Sequence, residues 1–164
     1  NEIMPEAVAD LVRSNQIQVR HQAGEKHCDA TDALYRQHGI AAEVTAFIGD
    51  MAEALAWSDL VICRSGALTV AELSAAGVAS LLVPFPFAID DHQTANAEWL
   101  VNLGAAELHQ QSTLTSDLLK ERLMNFIAQP ARLIEMAEAA RRAAKTGATK
   151  KCADICQELV RGER

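Results

Sequence analysis

The stretch LVICRSGALTVAELSAAG, Leu60–Gly77, decides the fold. Leu60–Cys63 is a short apolar run. Arg64-Ser65-Gly66 follows, and from Val70 to Ala76 the pattern is helical, stopping at Gly77, where glycine most easily takes the left-handed C-terminal cap position. A second apolar run, Ser80–Val83, comes directly after. Neither run alternates with polar residues, as expected of strands covered on both faces. A strand, a helix and a second strand at this spacing form a βαβ unit, because parallel strands need a crossover connection.

The same alternation continues outward. Helical patterns cover Pro5–Arg13 (with Ala7, Val8, Leu11 and Val12 on one face), Glu25–His38 stopping at Gly39, Asp50–Trp57 with Asp50 as N-cap, and Gln93–Leu103 ending at Gly104. Ile17–His21, Glu43–Phe47 and Ala105–Leu108 read as strands. Three helices close the chain: Ser116–Ala128, Ala131–Lys145 just after Pro130, and Thr149–Arg161. The pattern predicts one α/β domain over residues 1–164, a Rossmann-like three-layer α/β/α arrangement with a mainly parallel sheet.

The bulk composition narrows the function. The 164 residues carry a net charge of -7, which argues against wrapping a nucleic-acid backbone. No apolar run approaches the roughly 18–20 residues of a membrane span; the longest, Val78–Phe87, is broken by Pro84 and Pro86. Of the four cysteines, Cys28 and Cys63 stand alone, while Cys152 and Cys156 share a helix face. That spacing is not a zinc pattern, and reads as free thiols packed on a helix in a reducing compartment. The basic residues Arg141, Arg142, Lys145, Lys150 and Lys151 read as a solvated face or as a contact with a partner domain. The chain starts at Asn1 with no signal-peptide pattern, and the expectation is a cut end of a longer protein.

Open parallel sheets bind ligands outside the carboxyl ends of their strands, and three loops there stand out. In Arg64–Glu72, the N–H groups of Ala67, Leu68 and Thr69 at a helix start suit a phosphate, and the Glu72 carboxylate can accept two hydrogen bonds from a ribose diol. Thr69-x-x-Glu72 is equally a capping box, in which the two side chains satisfy the helix's own donors. In the second loop, Pro84–Gln93 followed by Asn96, the amides of Gln93 and Asn96 share a helix face and suit sugar hydroxyls; alternatively Asp90 or Asp91 caps that helix and the rest is polar surface. In the third, Phe47-Ile48-Gly49-Asp50-Met51, Gly49 permits a turn that exposes the backbone of Ile48, or the segment is a plain strand-to-helix turn. His21, His27, His38 and His109 have no partner spacing, and no Ser/His/Asp triad, HExxH or P-loop is present.

Taken together and in this order, "FIGDM…WSDLVICRSGALTVAELSAAG…VPFPFAIDDHQTANA" resembles the donor-binding half of the MurG family, bacterial UDP-N-acetylglucosamine transferases that convert lipid I to lipid II in peptidoglycan synthesis. His21-Gln22-Ala23-Gly24 and Gly104-Ala105-Ala106 fall in step with it. The resemblance implies the C-terminal half of a two-domain GT-B glycosyltransferase. It implies that the Ile48 backbone pairs with uracil with Met51 nearby, and that Arg64, Ser65 and Gly66 belong to the donor-contacting loop. Ala67, Leu68 and Thr69 would hold the diphosphate, Glu72 the ribose, and His92, Gln93 and Asn96 the N-acetylglucosamine. The implied reaction is an inverting displacement of UDP by the acceptor's 4-hydroxyl, with no cofactor and no metal strictly required if the helix dipole steadies the diphosphate. The general base, the lipid I site and the membrane-binding patch would lie in an N-terminal domain outside this sequence, and the intact protein would be cytoplasmic and peripheral on the inner face of the membrane. The Gly-rich loop and first, central strand of the family's donor domain also fall before Asn1, so flanking strands should lack a neighbour unless the parent polypeptide or another chain supplies it; the fragment alone should not catalyse transfer. A stand-alone donor-binding subunit with a membrane-anchored partner, a GT-B-like UDP-sugar epimerase and a regulatory nucleotide-binding module are the competing readings.

Overall fold

The computed structural model describes residues 1–87 and 91–161. In chain order the elements are α1 (Met4–Arg13), β1 (Arg20–Gln22), α2 (Cys28–Gln37), β2 (Glu43–Thr45), α3 (Met51–Trp57), β3 (Leu60–Cys63), α4 (Ala67–Ala76), β4 (Ala79–Leu82), α5 (His92–Asn102), β5 (Ala106–Leu108), α6 (Ser116–Ala128), α7 (Pro130–Ala143) and α8 (Ala148–Arg161). The expected α/β alternation is present throughout. Among the described residues every strand pairing is parallel: β1 with β2, β3 with β4, and β4 with β5.

β4 shows how the layers form. All four of its residues are buried, and successive side chains point to opposite faces. Leu81 packs with Val8, Leu11, Tyr35, Leu119 and Leu123, from α1, α2 and α6. Leu82 packs on the other side with Val70, Leu73, Ala97 and Leu100, from α4 and α5, and with Ala139 and Ala140 of α7. Covering on both faces is the reason the strand reads as a continuous apolar run.

Local sequence explains most boundaries. The Asp50 carboxylate accepts from the Glu53 N–H at 2.9 Å and caps α3, and Thr115 Oγ1 accepts from the Leu118 N–H to cap α6. Gly77 closes α4 in the left-handed conformation, φ 70°. β1 covers Arg20–Gln22 rather than the expected Ile17–His21; Ile17 and Val19 pack against the core formed with α1 and α6, and the Val19 carbonyl still accepts from the Glu43 N–H at 3.0 Å at the start of the ladder. α7 begins on Pro130 rather than after it, as a proline is tolerated in the first turn.

The basic cluster is only partly a solvated face. Arg141 Nη1 donates to the Ala75 carbonyl at the end of α4, and Lys145 Nζ sits 5.7 Å from the centroid of the Trp99 ring. Cys152 and Cys156 are exposed on α8 rather than packed. Among the described residues, no helix is long and apolar enough to cross a membrane.

The strands form two sheets, β1-β2 and β3-β4-β5. β1 and β3 are not bonded to each other. Between them runs a cavity of about 2070 Å³, lined on one side by Val19–Gln22 and on the other by Leu60–Cys63. Facing strand edges of this kind leave backbone donors and acceptors without ladder partners.

Candidate functional site

The site is built around the first turn of α4. Gly66 is extended, φ −61° and ψ 150°, and forms the N-cap without a side-chain cap. The first bond of the helix runs from the Val70 N–H to the Gly66 carbonyl at 2.9 Å. The N–H groups of Ala67, Leu68 and Thr69 precede it and so have no acceptor within the helix. They stand at the positive end of the helix dipole, in a turn whose Leu68 side chain is 81% exposed.

This placement answers the capping question left open by the sequence. α4 starts three residues earlier than the pattern Val70–Ala76 indicates, because Ala67 and Leu68 are good helix formers behind an extended glycine. Thr69 is therefore inside the helix and cannot be its N-cap. Glu72 lies a further turn in, exposed, and its carboxylate has no capping work to do. Thr69 and Glu72 line the cavity between the sheets together with Ile48, Met51 and Arg64. Residues from two of the three loops thus share one concave surface at the carboxyl ends of the strands, while His92, Gln93 and Asn96 do not line it.

Ile48 follows β2, and its N–H donates to Gln22 Oε1 at 2.9 Å. Gln22 carries no site pattern by itself; its signal is the His21-Gln22-Ala23-Gly24 stretch, which ends β1 beside β2. Met51 is the first residue of α3.

The α5 residues are tied to the α4 loop by hydrogen bonds. Ser65 is fully buried, and its hydroxyl donates to the Gln93 carbonyl at 2.7 Å. Asn96 Nδ2 donates to the Ser65 carbonyl at 3.0 Å, and Gln93 Oε1 accepts from the Phe85 N–H at 3.0 Å. His92 opens α5. Asp91 occupies the N-cap position with φ 50°, yet its carboxylate accepts from the Thr94 hydroxyl at 2.6 Å and not from the helix backbone. Asp90, the other candidate cap, lies outside the described residues.

The side chain of Arg64 is likewise engaged by the protein. Its Nη1 donates to the carbonyls of Val83 (3.1 Å) and Pro84 (2.8 Å), and its Nη2 to Gln111 Oε1 (2.5 Å). Gln111 is 47 positions away and has no motif to announce it.

Burial pushes the Cys63 thiol up to about 12, with the Glu72 charge adding to the rise. Cys63 is therefore a neutral thiol at physiological pH and not a nucleophile. The arrangement can hold an anion at the α4 N-terminus, a diol at Glu72 and hydroxyl groups at the amide pair. These are binding chemistries.

A family model described as the glycosyltransferase family 28 C-terminal domain matches residues 1–159. A UDP-N-acetylglucosamine–N-acetylmuramyl-(pentapeptide) pyrophosphoryl-undecaprenol N-acetylglucosamine transferase of Pseudomonas fluorescens is 51% identical over 162 residues, which is 99% of this chain and 46% of that protein. The protein of the same name from Dechloromonas aromatica is 52% identical over 161 residues, 98% of this chain and 45% of its own length. The chain thus spans just under half the length of the curated relatives it matches. Among solved structures, Acinetobacter baumannii MurG superposes with a TM-score of 0.82 at 42% identity, covering 96% of this chain and 45% of that one. The glycotransferase of kitacinnamycin gives 0.66 at 25% identity, covering 96% and 38%.

Proposed function

From the premise that this chain belongs to the glycosyltransferase family 28 C-terminal domain family, we propose that it is the donor-binding half of an inverting transferase. The intact enzyme moves N-acetylglucosamine from UDP-N-acetylglucosamine to undecaprenyl-diphospho-muramoyl-pentapeptide, the lipid I to lipid II step of peptidoglycan synthesis. One observation supports this reading most directly: Thr69 and Glu72, in the first turns of α4, whose N-terminus has no side-chain cap, line the same cavity as Ile48 and Met51.

Each residue has a role in this reading. The Ile48 backbone pairs with uracil once Gln22 yields its hydrogen bond, and Met51 packs beside the base. Ala67, Leu68 and Thr69 donate to the diphosphate, and the helix dipole stabilises the charge that grows on departing UDP. Glu72 accepts from the ribose hydroxyls. His92, Gln93 and Asn96 face the sugar. The acceptor 4-hydroxyl attacks the anomeric carbon from the opposite side, and the carbon–oxygen bond to UDP breaks as the new bond forms. The general base and the lipid I site come from an N-terminal domain, and no cofactor or metal is needed for the displacement.

The interrupted sheet supports the need for a further segment. A parallel strand between β1 and β3 would satisfy both edges, and it comes from the parent polypeptide or a partner chain. The intact protein works in the cytoplasm, peripheral on the inner face of the membrane.

The test is calorimetric titration of the intact parent polypeptide with UDP-N-acetylglucosamine and UDP, followed by turnover with lipid I. Saturable binding of both and formation of lipid II are expected. Absence of UDP binding would overturn the proposal.

A further inference from the structure

Arg64 sits in a loop that would hold a diphosphate, yet its guanidinium makes three hydrogen bonds to the protein itself. Nη1 bridges the Val83 and Pro84 carbonyls and Nη2 reaches Gln111. The plane also lies against the Phe85 ring, with Cζ 5.5 Å from its centroid. One planar fork thus joins the ends of β3 and β4 to the segment after β5. An ammonium on a flexible stem lacks the two fixed nitrogens with which the fork donates to acceptors on different segments.

The contacts continue in a closed circuit. Arg64 holds the Pro84 carbonyl. The next residue, Phe85, donates its N–H to Gln93 Oε1. The Gln93 carbonyl accepts from the Ser65 hydroxyl, and Ser65 is bonded to Arg64 along the chain. A backbone N–H can only donate, so Gln93 must turn its oxygen to Phe85 and present its NH₂ on the other side. By the same logic the Ser65 carbonyl can only accept, so Asn96 turns its nitrogen inward and presents its oxygen. The pair therefore offers one donor and one acceptor in a fixed order.

We propose that Arg64 is a positioning residue that sets the donor–acceptor order of Gln93 toward the sugar, and not a ligand of the diphosphate. This rests on the donor-binding reading above. Without the fork, Pro84–Phe85 is no longer held, the Phe85 N–H leaves Gln93, and the amide can turn over. The loss then falls on the sugar and spares the nucleoside diphosphate.

The experiment measures affinity of the intact parent polypeptide for UDP and for UDP-N-acetylglucosamine by calorimetry. It compares wild type, Arg64→Lys, Gln93→Ala, the Arg64→Lys/Gln93→Ala double variant, and Gln111→Ala, which removes one exposed arm of the fork at least cost to folding. Arg64→Lys should weaken UDP-N-acetylglucosamine by roughly five- to tenfold, the scale of one lost hydrogen bond, with UDP changed less than about twofold. The double variant should be no weaker than Gln93→Ala, since both act on one contact. Gln111→Ala should show the same selectivity with smaller size. Equal losses for UDP and the UDP-sugar, or additive losses in the double variant, overturn the proposal. A polypeptide that binds neither ligand even as wild type overturns the donor-binding reading and this inference with it; a wild type that binds while its variants lack the selective loss overturns this inference alone. Should Arg64→Lys fail to fold, Gln111→Ala decides: an undiminished preference for the UDP-sugar overturns the role.

Discussion

Asn96 Nδ2 donates to the Ser65 carbonyl at 3.0 Å, joining the first turns of α5 to the loop that starts α4 across 31 residues of chain. Asn96→Asp removes the only N–H groups the side chain has and sets a carboxylate against a carbonyl. The expected cost is about 1–3 kcal/mol of stability at neutral pH, the scale of an unsatisfied polar group. UDP-N-acetylglucosamine binding should fall more than UDP binding. Denaturant midpoints and paired titrations check both, and an unchanged midpoint would refute the structural half.

Ala67→Pro tests the helix terminus without harming the helix. Ala67 is the first residue of α4 and follows an extended glycine with ψ 150°, the conformation that tolerates a following proline. The substitution deletes one N–H offered to the diphosphate. Thermal stability should be kept or slightly raised, while UDP binding weakens by about 1 kcal/mol and uridine binding stays level. Equal affinity for UDP before and after substitution would remove Ala67 from the diphosphate site.

Glu72→Gln separates ligand binding from capping. The α4 N-cap is Gly66, so Glu72 does no work at the helix start. Melting temperature should hold, within about 0.5 kcal/mol in stability. UDP affinity should drop by about 1–3 kcal/mol, as when charge-assisted hydrogen bonds are lost. The loss should shrink with 2′-deoxy-UDP, which lacks one of the two hydroxyls. A fall in stability with UDP affinity intact would return Glu72 to a structural role.

Two glycines with similar backbone should respond differently to alanine. Gly77 and Gly39 are both left-handed, φ 70° and 67°. A Cβ on Gly77 would stand 3.0 Å from Arg141 Cβ, whereas one on Gly39 meets nothing within 4 Å. Gly39→Ala should cost only the backbone strain of about 1–2 kcal/mol. Gly77→Ala should cost more, because Arg141 is held over the end of α4 by its bond to the Ala75 carbonyl. Chemical denaturation of both variants gives the comparison, and equal losses would show that Arg141 yields freely.

His21 brings a pH dependence. Burial lowers its pKa from 6.5 to about 4. The neutral ring sits between the Tyr35 hydroxyl and Asn1 Oδ1, each at 3.0 Å. The folded protein therefore binds fewer protons than the unfolded chain between these two values, so its stability falls as pH drops from about 6.5 toward about 4 and levels off below. His21→Gln should flatten that part of a stability-versus-pH curve. An imidazole titration by NMR with a midpoint at or above the ordinary value would contradict this.

Much of the architecture was legible in the chain. The unbroken apolar runs Leu60–Cys63 and Ser80–Val83 announced doubly covered strands, and Asp50, Gly77 and Pro130 marked helix ends by local stereochemistry. These signals depend on neighbours in sequence, so sequence reveals them. The Thr69–Glu72 spacing left a capping box open because it suits a helix start chemically, while the true start is set by the extended backbone of Gly66. Gln22, Phe85 and Gln111 escaped notice as partners of site residues, because a hydrogen bond across tens of positions leaves no periodic trace.

The sequence alone determined the α/β class, the carboxyl-edge position of the three loops and the resemblance that links them, all written in short-range patterns and motif order. The tertiary structure decided what those loops do to one another. It placed Ile48, Thr69 and Glu72 on one cavity, opened that cavity between β1 and β3, and spent the Arg64 fork on the Val83 and Pro84 carbonyls. Those outcomes depend on directional bonds between distant backbone groups, and only the folded chain brings such groups within reach.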